Sequence, residues 1–325
     1  SNKNDVLLIK HDDILIGDLI YDTYLRFFKK PTLNIRDFNL IFLLARTFAE
    51  INYLEKVSKS INIYLTSYTT YTNSGLPTRI FIKNGVEVYT FADVINGKKL
   101  NINDLSQTKK YWRYRTDFSN LADKDLQIEL GLDLLENRLN GINDLSYMKT
   151  NPYSNNIFSG IKKHDGIVFL HDFFDSYHIY RDALFPDFYE WAVFTFNLIA
   201  EHNLNIGIKP HPNQNSSSKK EIEKLKIKFN HLNWLDEEIS NTQLFNSGIK
   251  FGISVYGTVL TELAYKNIIP ICCGDNPTNN YNFTFRANSK DEYSNLILNY
   301  KKLKFSENKL NEIGEFVYMN NIKIE

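Results

Sequence analysis

The chain has 325 residues, 43% of them hydrophobic and 14% aromatic, with 38 basic and 38 acidic side chains. This composition excludes an intrinsically disordered chain, and the balanced charge excludes a whole-chain attraction to nucleic acid or to an anionic membrane. The length exceeds what one hydrophobic core usually supports, which predicts two domains.

The cysteines and the hydropathy pattern bear on the compartment. Cys272 and Cys273 are adjacent, a spacing that suits neither a disulfide nor the usual zinc ligand sets. No run of about 18 apolar residues occurs, and residues 1–5 lack the apolar core of a signal peptide. We therefore expect a cytoplasmic protein with no membrane span and no nucleic-acid partner.

Strand and helix signals alternate in the first half. An apolar run over 6–9 predicts a buried strand. Apolar residues at helical spacing predict a helix over 18–28, which ends before Pro31. The other predicted segments are a helix over 37–58, a strand over 61–65, a hairpin or short βαβ element over 78–91, and a helical region over 104–150.

A cluster of loop-forming residues over 151–156 predicts a domain boundary, which gives domains 1–155 and 156–325. Alternating strands and helices in the second half predict a parallel sheet covered on both faces, the doubly wound arrangement. Ligands bind beyond the carboxyl ends of such strands, so the loops after them are expected to carry function. The predicted strands are 167–170, 204–208, 250–254 and 268–273, and the predicted helices are 185–201, 219–229, 243–247 and 258–266.

The loop after the strand 204–208 reads Lys209-Pro210-His211-Pro212-Asn213. Two prolines fix the backbone around one imidazole and remove two amide donors, which favours an aimed side chain over a helix start. His211 is then placed to donate to a phosphate oxygen, with Lys209 adding positive charge. A rigid turn with a surface histidine is the alternative.

A second candidate lies where the strand 250–254 leads into a helix. Gly257 and Thr258 offer backbone amides and a hydroxyl at the helix start, a place that attracts anions, and Glu262 follows one turn later. The pattern predicts a phosphate at Gly257-Thr258 and ribose hydroxyls at Glu262. The alternative is an ordinary N-cap threonine with a first-turn glutamate.

A third candidate, residues 171–178, follows the strand 167–170. His171, Asp172, Asp175 and His178 suit general-base work or recognition of substrate hydroxyls. A metal site is one alternative, although His171 and Asp172 point apart on an extended chain and no second ligand cluster is evident. Turn capping by Asp172 and Asp175 is the other.

The first half has one polar cluster of its own. If the two domains face one another across a cleft, these residues lie opposite the predicted phosphate site and are expected to meet a second substrate. Capping and surface solvation are the alternative interpretation. The cluster comprises His11, Asp12, Asp13, Asp18, Tyr21, Asp22, Tyr68, Tyr71 and Arg79.

The second half contains, in this order, Lys-Pro-His-Pro-Asn over 209–213, a helix, Tyr-Gly-Thr-x-x-x-Glu-x-Ala over 256–264, and Pro270. This order is similar to the C-terminal half of bacterial surface-polysaccharide glycosyltransferases. Capsular-polysaccharide biosynthesis proteins, including Kdo transferases, are the nearest in pattern, and sialyltransferases and teichoic-acid polymerases share it. The resemblance covers about residues 11–295, because further segments resemble the same proteins: 16–24, 75–79, 171–189 and 275–277.

The resemblance implies a metal-independent GT-B enzyme with two Rossmann-like domains facing a cleft. It implies transfer of a sugar from a nucleotide donor to a growing surface glycan or lipid-linked glycan. The His-Pro motif favours a CMP-linked sugar acid such as CMP-Kdo, and UDP and GDP stay open. No metal or separate cofactor is expected, and peripheral association with an assembly complex at the inner face of the inner membrane is compatible with this role.

The alternative functions are a nucleotide-sugar epimerase or hydrolase on the same scaffold, and a non-catalytic glycan-binding subunit.

The residues implied for glycosyl transfer fall into three groups. The catalytic candidates are Asp172, Asp175, His211 and Asp13, with Asp18 as a further base; the donor-binding candidates are Lys209, His211, Pro212, Asn213, Tyr256, Gly257, Thr258, Glu262 and Asn276; and the acceptor-binding candidates are His171, Asp18, Tyr71 and Arg79.

Overall fold

The structure, a computed structural model, has an α/β fold that divides into two compact units. The predicted domain boundary near residue 155 lies outside the residues that the structure describes. The first unit comprises Ser1–Lys109, Phe173–Arg181 and Ile324–Glu325, and the second comprises Lys110–Asp172 and Asp182–Lys323. The described residues are 2–91, 97–142, 162–180 and 182–323.

The first unit contains an antiparallel pair, β1–β2, and a three-stranded sheet of order β3-β4-β5. Strands β3 and β4 are parallel and joined through a helix, as a βαβ unit requires, whereas β5 runs antiparallel to β4. The strands are β1 (Lys10–His11), β2 (Ile14–Leu15), β3 (Ile63–Thr66), β4 (Glu87–Thr90) and β5 (Lys98–Leu100).

Within the described residues, four helices accompany these strands, and a side chain caps the start of two of them. Asp37 accepts a hydrogen bond from the amide of Asn39 and so begins the long helix that was predicted over 37–58. The core of the unit includes the fully buried side chains of Ile16, Ile20 and Tyr24. The helices are α1 (Lys3–Leu7), α2 (Gly17–Phe28), α3 (Phe38–Val57) and α4 (Leu76–Lys83).

The predicted strand over 6–9 is wrong, because α1 includes Val6 and Leu7. The side chain of Asn2 accepts from the amide of Asn4, and Asp5 accepts from the amide of Asn2, which together form a capping box. The capped helical turn replaces the strand that the four apolar residues suggested.

The second unit contains a six-stranded sheet in which all neighbouring strands are parallel. Its order, β11-β10-β9-β6-β7-β8, confirms the predicted parallel α/β sheet and is compatible with a Rossmann-like fold. The strands are β6 (Gly166–Phe169), β7 (Ile206–Lys209), β8 (Asn233–Trp234), β9 (Phe251–Ile253), β10 (Ile269–Cys273) and β11 (Phe285–Ala287).

The central strands β6, β7 and β9 are buried at every position, as expected for a parallel sheet covered on both faces. In the register of these strands, Val168 lies between Ile208 and Ile253. The helices of this unit are α5 (Tyr114–Ser119), α6 (Lys124–Leu139), α7 (Phe188–Glu201), α8 (Ser216–Lys228), α9 (Asn241–Asn246), α10 (Val259–Tyr265), α11 (Lys290–Leu298) and α12 (Lys309–Val317).

The strand order reverses between β6 and β9, the first and fourth strands of this sheet along the chain. At such a switch point the connections leave in opposite directions and open a crevice at the carboxyl ends of the two strands. His171 and Ser254 follow those two ends. Within the described ranges, no helix combines the length and apolar character needed to cross a bilayer.

Candidate functional site

The crevice between β6 and β9 is bridged by His171 and Ser254. Nε2 of His171 lies 3.0 Å from Oγ of Ser254. The same Oγ lies 3.3 Å from the carbonyl oxygen of Phe169 and 3.2 Å from that of Tyr256, and both carbonyls only accept. The serine hydroxyl has a single hydrogen and can donate it to only one of these three atoms; when it donates to a carbonyl, Nε2 of His171 carries the hydrogen of the bridge.

Aromatic rings enclose the imidazole of His171. Phe188 stacks on it with ring centroids 4.3 Å apart, Tyr256 lies at 5.0 Å, and the edge of Trp191 lies at 6.0 Å. Burial lowers the pKa of His171 to about 3, and the neighbouring His211, when it is protonated, adds to this effect. His171 is therefore neutral at physiological pH.

His211 extends from the loop after β7 and is half-buried. The amide of Asn213 donates to Nδ1 of His211 at 3.1 Å, so Nδ1 is an acceptor and Nε2 carries the hydrogen. The prolines on either side fix this turn. His211 and His171 are close enough to interact electrostatically, although they are 40 positions apart in the chain.

The corner Gly257-Thr258 lies beside His171. A Cβ at Gly257 would lie 4.0 Å from Cε1 of His171, and the φ angle of Gly257 is +132°, a conformation that favours glycine. Both residues are exposed, and within the described part of the chain neither backbone amide donates a hydrogen bond. Thr258 makes no capping hydrogen bond through its side chain, so the ordinary capping alternative does not apply.

Two charged residues predicted to bind the donor are buried in this structure. Lys209 is 3% exposed, and its Nζ lies 3.4 Å from the carbonyl oxygen of Glu237. Burial lowers the pKa of Lys209 to about 8, although the carboxylates of Glu237, Asp236 and Glu262 oppose this shift. Glu262 has no exposed surface, and its contact with ribose stays a prediction.

The two aspartates proposed as a base belong to different units. Asp172 accepts from the amide and side-chain nitrogen of Asn215 at 3.3 and 2.9 Å, and from Oγ of Ser218 at 2.6 Å. It therefore ties the end of β6 to the start of α8. Asp175 is exposed and accepts from the amide of Ser176 at 2.9 Å.

Asn276 is 1% exposed and holds the turn after β10. Its side-chain oxygen accepts from the amide and hydroxyl of Thr278 at 2.9 and 2.6 Å, and its nitrogen lies 3.6 Å from Sγ of Cys272. This position is structural in the present conformation, and a ligand contact by Asn276 stays a prediction.

A cavity of about 380 Å³ adjoins the His-Pro loop. Gln214 is 7% exposed, and its side-chain amide makes no hydrogen bond within the described residues. The cavity has the size of a small-molecule site, with charged groups around its rim. It is lined by Pro210, Gln214, Lys219, Ile222, Glu223, Lys226, Asp236, Glu237 and Glu238.

In the first unit, the predicted acceptor residues Asp18 and Arg79 form a two-pronged ion pair. Nη1 and Nη2 of Arg79 lie 2.6 Å from Oδ1 and Oδ2 of Asp18, respectively. Nη1 also donates to the carbonyl of Leu15. Burial, the largest single effect, opposes ionisation of Asp18, but the charge and hydrogen bonds of Arg79, together with His178 and the amide of Leu19, outweigh it, so the pKa of Asp18 is lowered. Asp13 is exposed on the turn between β1 and β2.

Tyr71, the fourth acceptor-side candidate, begins a π-helical turn over Tyr71–Gly75 with a φ angle of +60°. Such turns and left-handed non-glycine residues are enriched at functional sites. Burial raises the pKa of Tyr71, and the carboxylate of Asp175 adds to this shift. The hydroxyl is therefore a hydrogen-bond group and not an anion.

Sequence reasoning placed Asp22 and His178 in separate clusters, but the structure pairs them. Nδ1 of His178 lies 2.7 Å from Oδ1 of Asp22, and the amide of His178 donates to Oδ2 at 3.2 Å. Burial raises the pKa of Asp22, and His178 opposes the shift. The segment Phe173–Arg181 returns to the first unit, and no local sequence signal reveals this.

The first unit also holds a group of three metal-capable side chains. The ligand atoms of His11, Asp12 and Glu55 lie within 4.8 Å of one another. Lys83 pairs with Asp12, and His11 lies 2.9 Å from Glu55, so these groups already have protein partners. The expectation of a metal-free enzyme stays a prediction.

Comparison with protein-family models and with curated proteins finds no match. The function of the site is therefore inferred from the chemistry of its own residues. His171 lies beside the exposed amides of Gly257 and Thr258, which donate no hydrogen bond within the described residues, and it interacts electrostatically with His211. Such a set suits an anion that also presents a hydroxyl.

Proposed function

We propose that the chain is a metal-independent glycosyltransferase of the GT-B type that binds its nucleotide-sugar donor in the second unit. The observation that carries the proposal is the exposed amide pair of Gly257 and Thr258 beside His171, which also interacts with His211. A phosphate group needs several donors in a small space, and the two amides and His211 are proposed to supply them without a metal ion.

The donor's phosphate is proposed to accept hydrogen bonds from His211 and from the two amides. As the bond to the anomeric carbon breaks, negative charge grows on the departing nucleotide. Donors that are already aimed at those oxygens stabilise that charge without further reorganisation. The cavity beside Pro210 and Gln214 is proposed to take part of the nucleoside, and a CMP-linked sugar acid remains the favoured donor.

The acceptor hydroxyl attacks the anomeric carbon, and a carboxylate removes its proton. Asp175 is the stronger candidate, because its carboxylate is exposed. Asp172 is the second candidate, since its carboxylate already accepts three hydrogen bonds from Asn215 and Ser218. Asp18, Tyr71 and Arg79 of the first unit, with Asp13, are proposed to contact a glycan or lipid-linked glycan acceptor.

Thermal-shift measurements with CMP, UDP and GDP in EDTA test the proposal. A nucleotide that binds only the folded chain at about 100 times its Kd adds about 2.7 kcal/mol of stability and raises the melting temperature. We expect CMP to give the largest shift. A glycan-binding subunit would show no shift with any nucleotide.

A second assay separates transfer from other chemistry on the same scaffold. The donor sugar is incubated with and without an oligosaccharide acceptor, and release of free nucleotide is followed. A glycosyltransferase releases nucleotide faster with acceptor. Hydrolysis that ignores the acceptor, or conversion of the donor without release of nucleotide, supports a hydrolase or an epimerase.

A further inference from the structure

The cavity beside the His-Pro loop lies at the carboxyl ends of two neighbouring strands. The loop after β7 contributes Pro210 and Gln214 to its lining, and the loop after β8 contributes residues 236–238. Its volume of about 380 Å³ falls within the roughly 300–1,000 Å³ of small-molecule sites. All of its lining residues belong to the second unit, at the edge of the parallel sheet where ligands bind.

The side-chain amide of Gln214 is a polar group of this lining that the protein itself does not satisfy. Gln214 is 7% exposed, and neither its Nε2 nor its Oε1 has a hydrogen-bond partner within the described residues. A buried amide without partners destabilises a fold, and native proteins keep few such groups. A ligand that presents one donor and one acceptor side by side would satisfy both atoms.

The cavity also has apolar walls. Pro210 forms one of them, and Ile222 of α8, which is 2% exposed, forms another. Pockets that hold a nucleobase contact its faces with apolar or aromatic side chains and its edge with hydrogen-bonding groups. Apolar walls together with the amide of Gln214 therefore suit a flat heterocycle.

The rim of the cavity is acidic. Two lysines and four carboxylates line it, and each lysine pairs with one carboxylate. The carboxylates of Asp236 and Glu238 are therefore in excess, which disfavours a phosphate and favours groups that donate hydrogen bonds. Of the two ends of a nucleotide, the charge favours the base. The ion pairs are Lys219 with Glu237 and Lys226 with Glu223.

We infer that this cavity binds the nucleobase of the donor and selects a base that carries an amino group, as cytosine does, over uracil. The inference rests on the proposed function and names the part of the donor that the cavity takes. The amino group has two hydrogens, and it donates one to Oε1 of Gln214 and one to the carboxylate of Glu238. Nε2 of Gln214 donates to the adjacent ring nitrogen. Uracil has a carbonyl oxygen in place of the amino group, and this oxygen would face the carboxylate.

Isothermal titration calorimetry with CMP, UMP, GMP and AMP tests the selection. We expect the tightest ligand to be a nucleotide with an amino group, CMP under the proposed function, and UMP to bind about tenfold or more weakly. UMP that binds as tightly as the best of the others overturns the inference and leaves the proposed function intact. If none of the four binds, the proposed function itself fails.

Gln214→Leu tests the contact with the base. Leucine removes an amide that has no partner in the free chain, so the melting temperature should not fall, whereas CMP should bind about tenfold more weakly. Gln127→Leu on α6 is the matched control, because Oε1 of Gln127 also has no partner within the described residues. Its affinity for CMP should be unchanged. Unchanged CMP affinity in Gln214→Leu, or a loss that the control shares, overturns the role of Gln214.

Glu238→Gln tests the acidic rim, because it removes the charge and keeps the shape of the side chain. The preference for CMP over UMP should shrink severalfold, since the glutamine amide can donate to the carbonyl of uracil. The melting temperature should be nearly unchanged, because Glu238 lies in an exposed loop. An unchanged ratio of the two affinities overturns the part assigned to the carboxylate.

Discussion

Nε2 of His171 lies 3.0 Å from Oγ of Ser254, and this contact joins the carboxyl ends of β6 and β9. The contact lies at the point where the strand order of the parallel sheet reverses. It fixes the orientation of an imidazole that borders both the His-Pro loop and the Gly257-Thr258 corner. The arrangement leads to the following predictions about nucleotide binding and stability.

His211→Ala should weaken CMP binding by about tenfold or more, because a hydrogen bond to a charged group contributes about 1.5–3 kcal/mol. Isothermal titration calorimetry measures the affinity. His202→Ala is the matched control, because His202 is exposed at the end of α7. Equal affinities of the two variants would remove His211 from the phosphate site.

Gly257→Ala should destabilise the chain by about 1–3 kcal/mol, because alanine is strained at a φ angle of +132°. It should also weaken CMP binding, because relief of the strain moves the two amides. Gly248→Ala is the control, with a φ angle of +84° and open space around it. Strain should destabilise the control as well, but its affinity for CMP should be unchanged. A loss of affinity in both variants would point to general destabilisation.

The partly buried His171 should make the second unit sensitive to acid. The folded pKa of about 3 lies below the unfolded value of about 6.5, so between these values the unfolded chain binds a proton that the folded chain excludes. The contribution of neutral His171 to the free energy of unfolding should therefore be fully present above about pH 6.5. It should fall as the pH is lowered, by up to about 1.4 kcal/mol per pH unit. In His171→Gln the melting temperature should depend less steeply on pH between 4 and 7. An unchanged slope would contradict the pKa shift.

The ion pair of Asp18 and Arg79 should be important for stability. Arg79→Leu leaves a largely buried carboxylate without its partner, and we expect a loss of about 3–5 kcal/mol in the free energy of unfolding by urea. Arg113→Leu removes one partner of the exposed pair with Asp117 and should cost less than about 1 kcal/mol. Similar losses in the two variants would show that burial does not set the strength of the first pair.

The parallel sheet was predictable because its strands carry continuous apolar runs between helices, as at residues 167–170. The short strands β8 and β11 were missed, since two or three residues give no periodicity. The strand expected over 6–9 failed for a related reason: four apolar residues suit a helical turn equally well, and the capping box of Asn2 and Asp5 selects the helix.

The site was predictable only where it depends on strand ends. His171, His211 and Gly257 follow three strands of one sheet, so their placement follows from topology. The burial of Glu262 and the pairing of Asp22 with His178 depend on packing and on the return of a distant segment. Spacing along the chain carries no information about either.

The proposed phosphate site is tested most directly by hydrogen–deuterium exchange, followed by mass spectrometry, with and without saturating CMP. The amides of Gly257 and Thr258 are exposed and should exchange rapidly in the free chain. Bound CMP should protect the peptide over 254–258 and the peptide over 209–215 together. Protection confined to other segments, or unchanged exchange at 254–258 when CMP is shown to be bound, would contradict the proposed site.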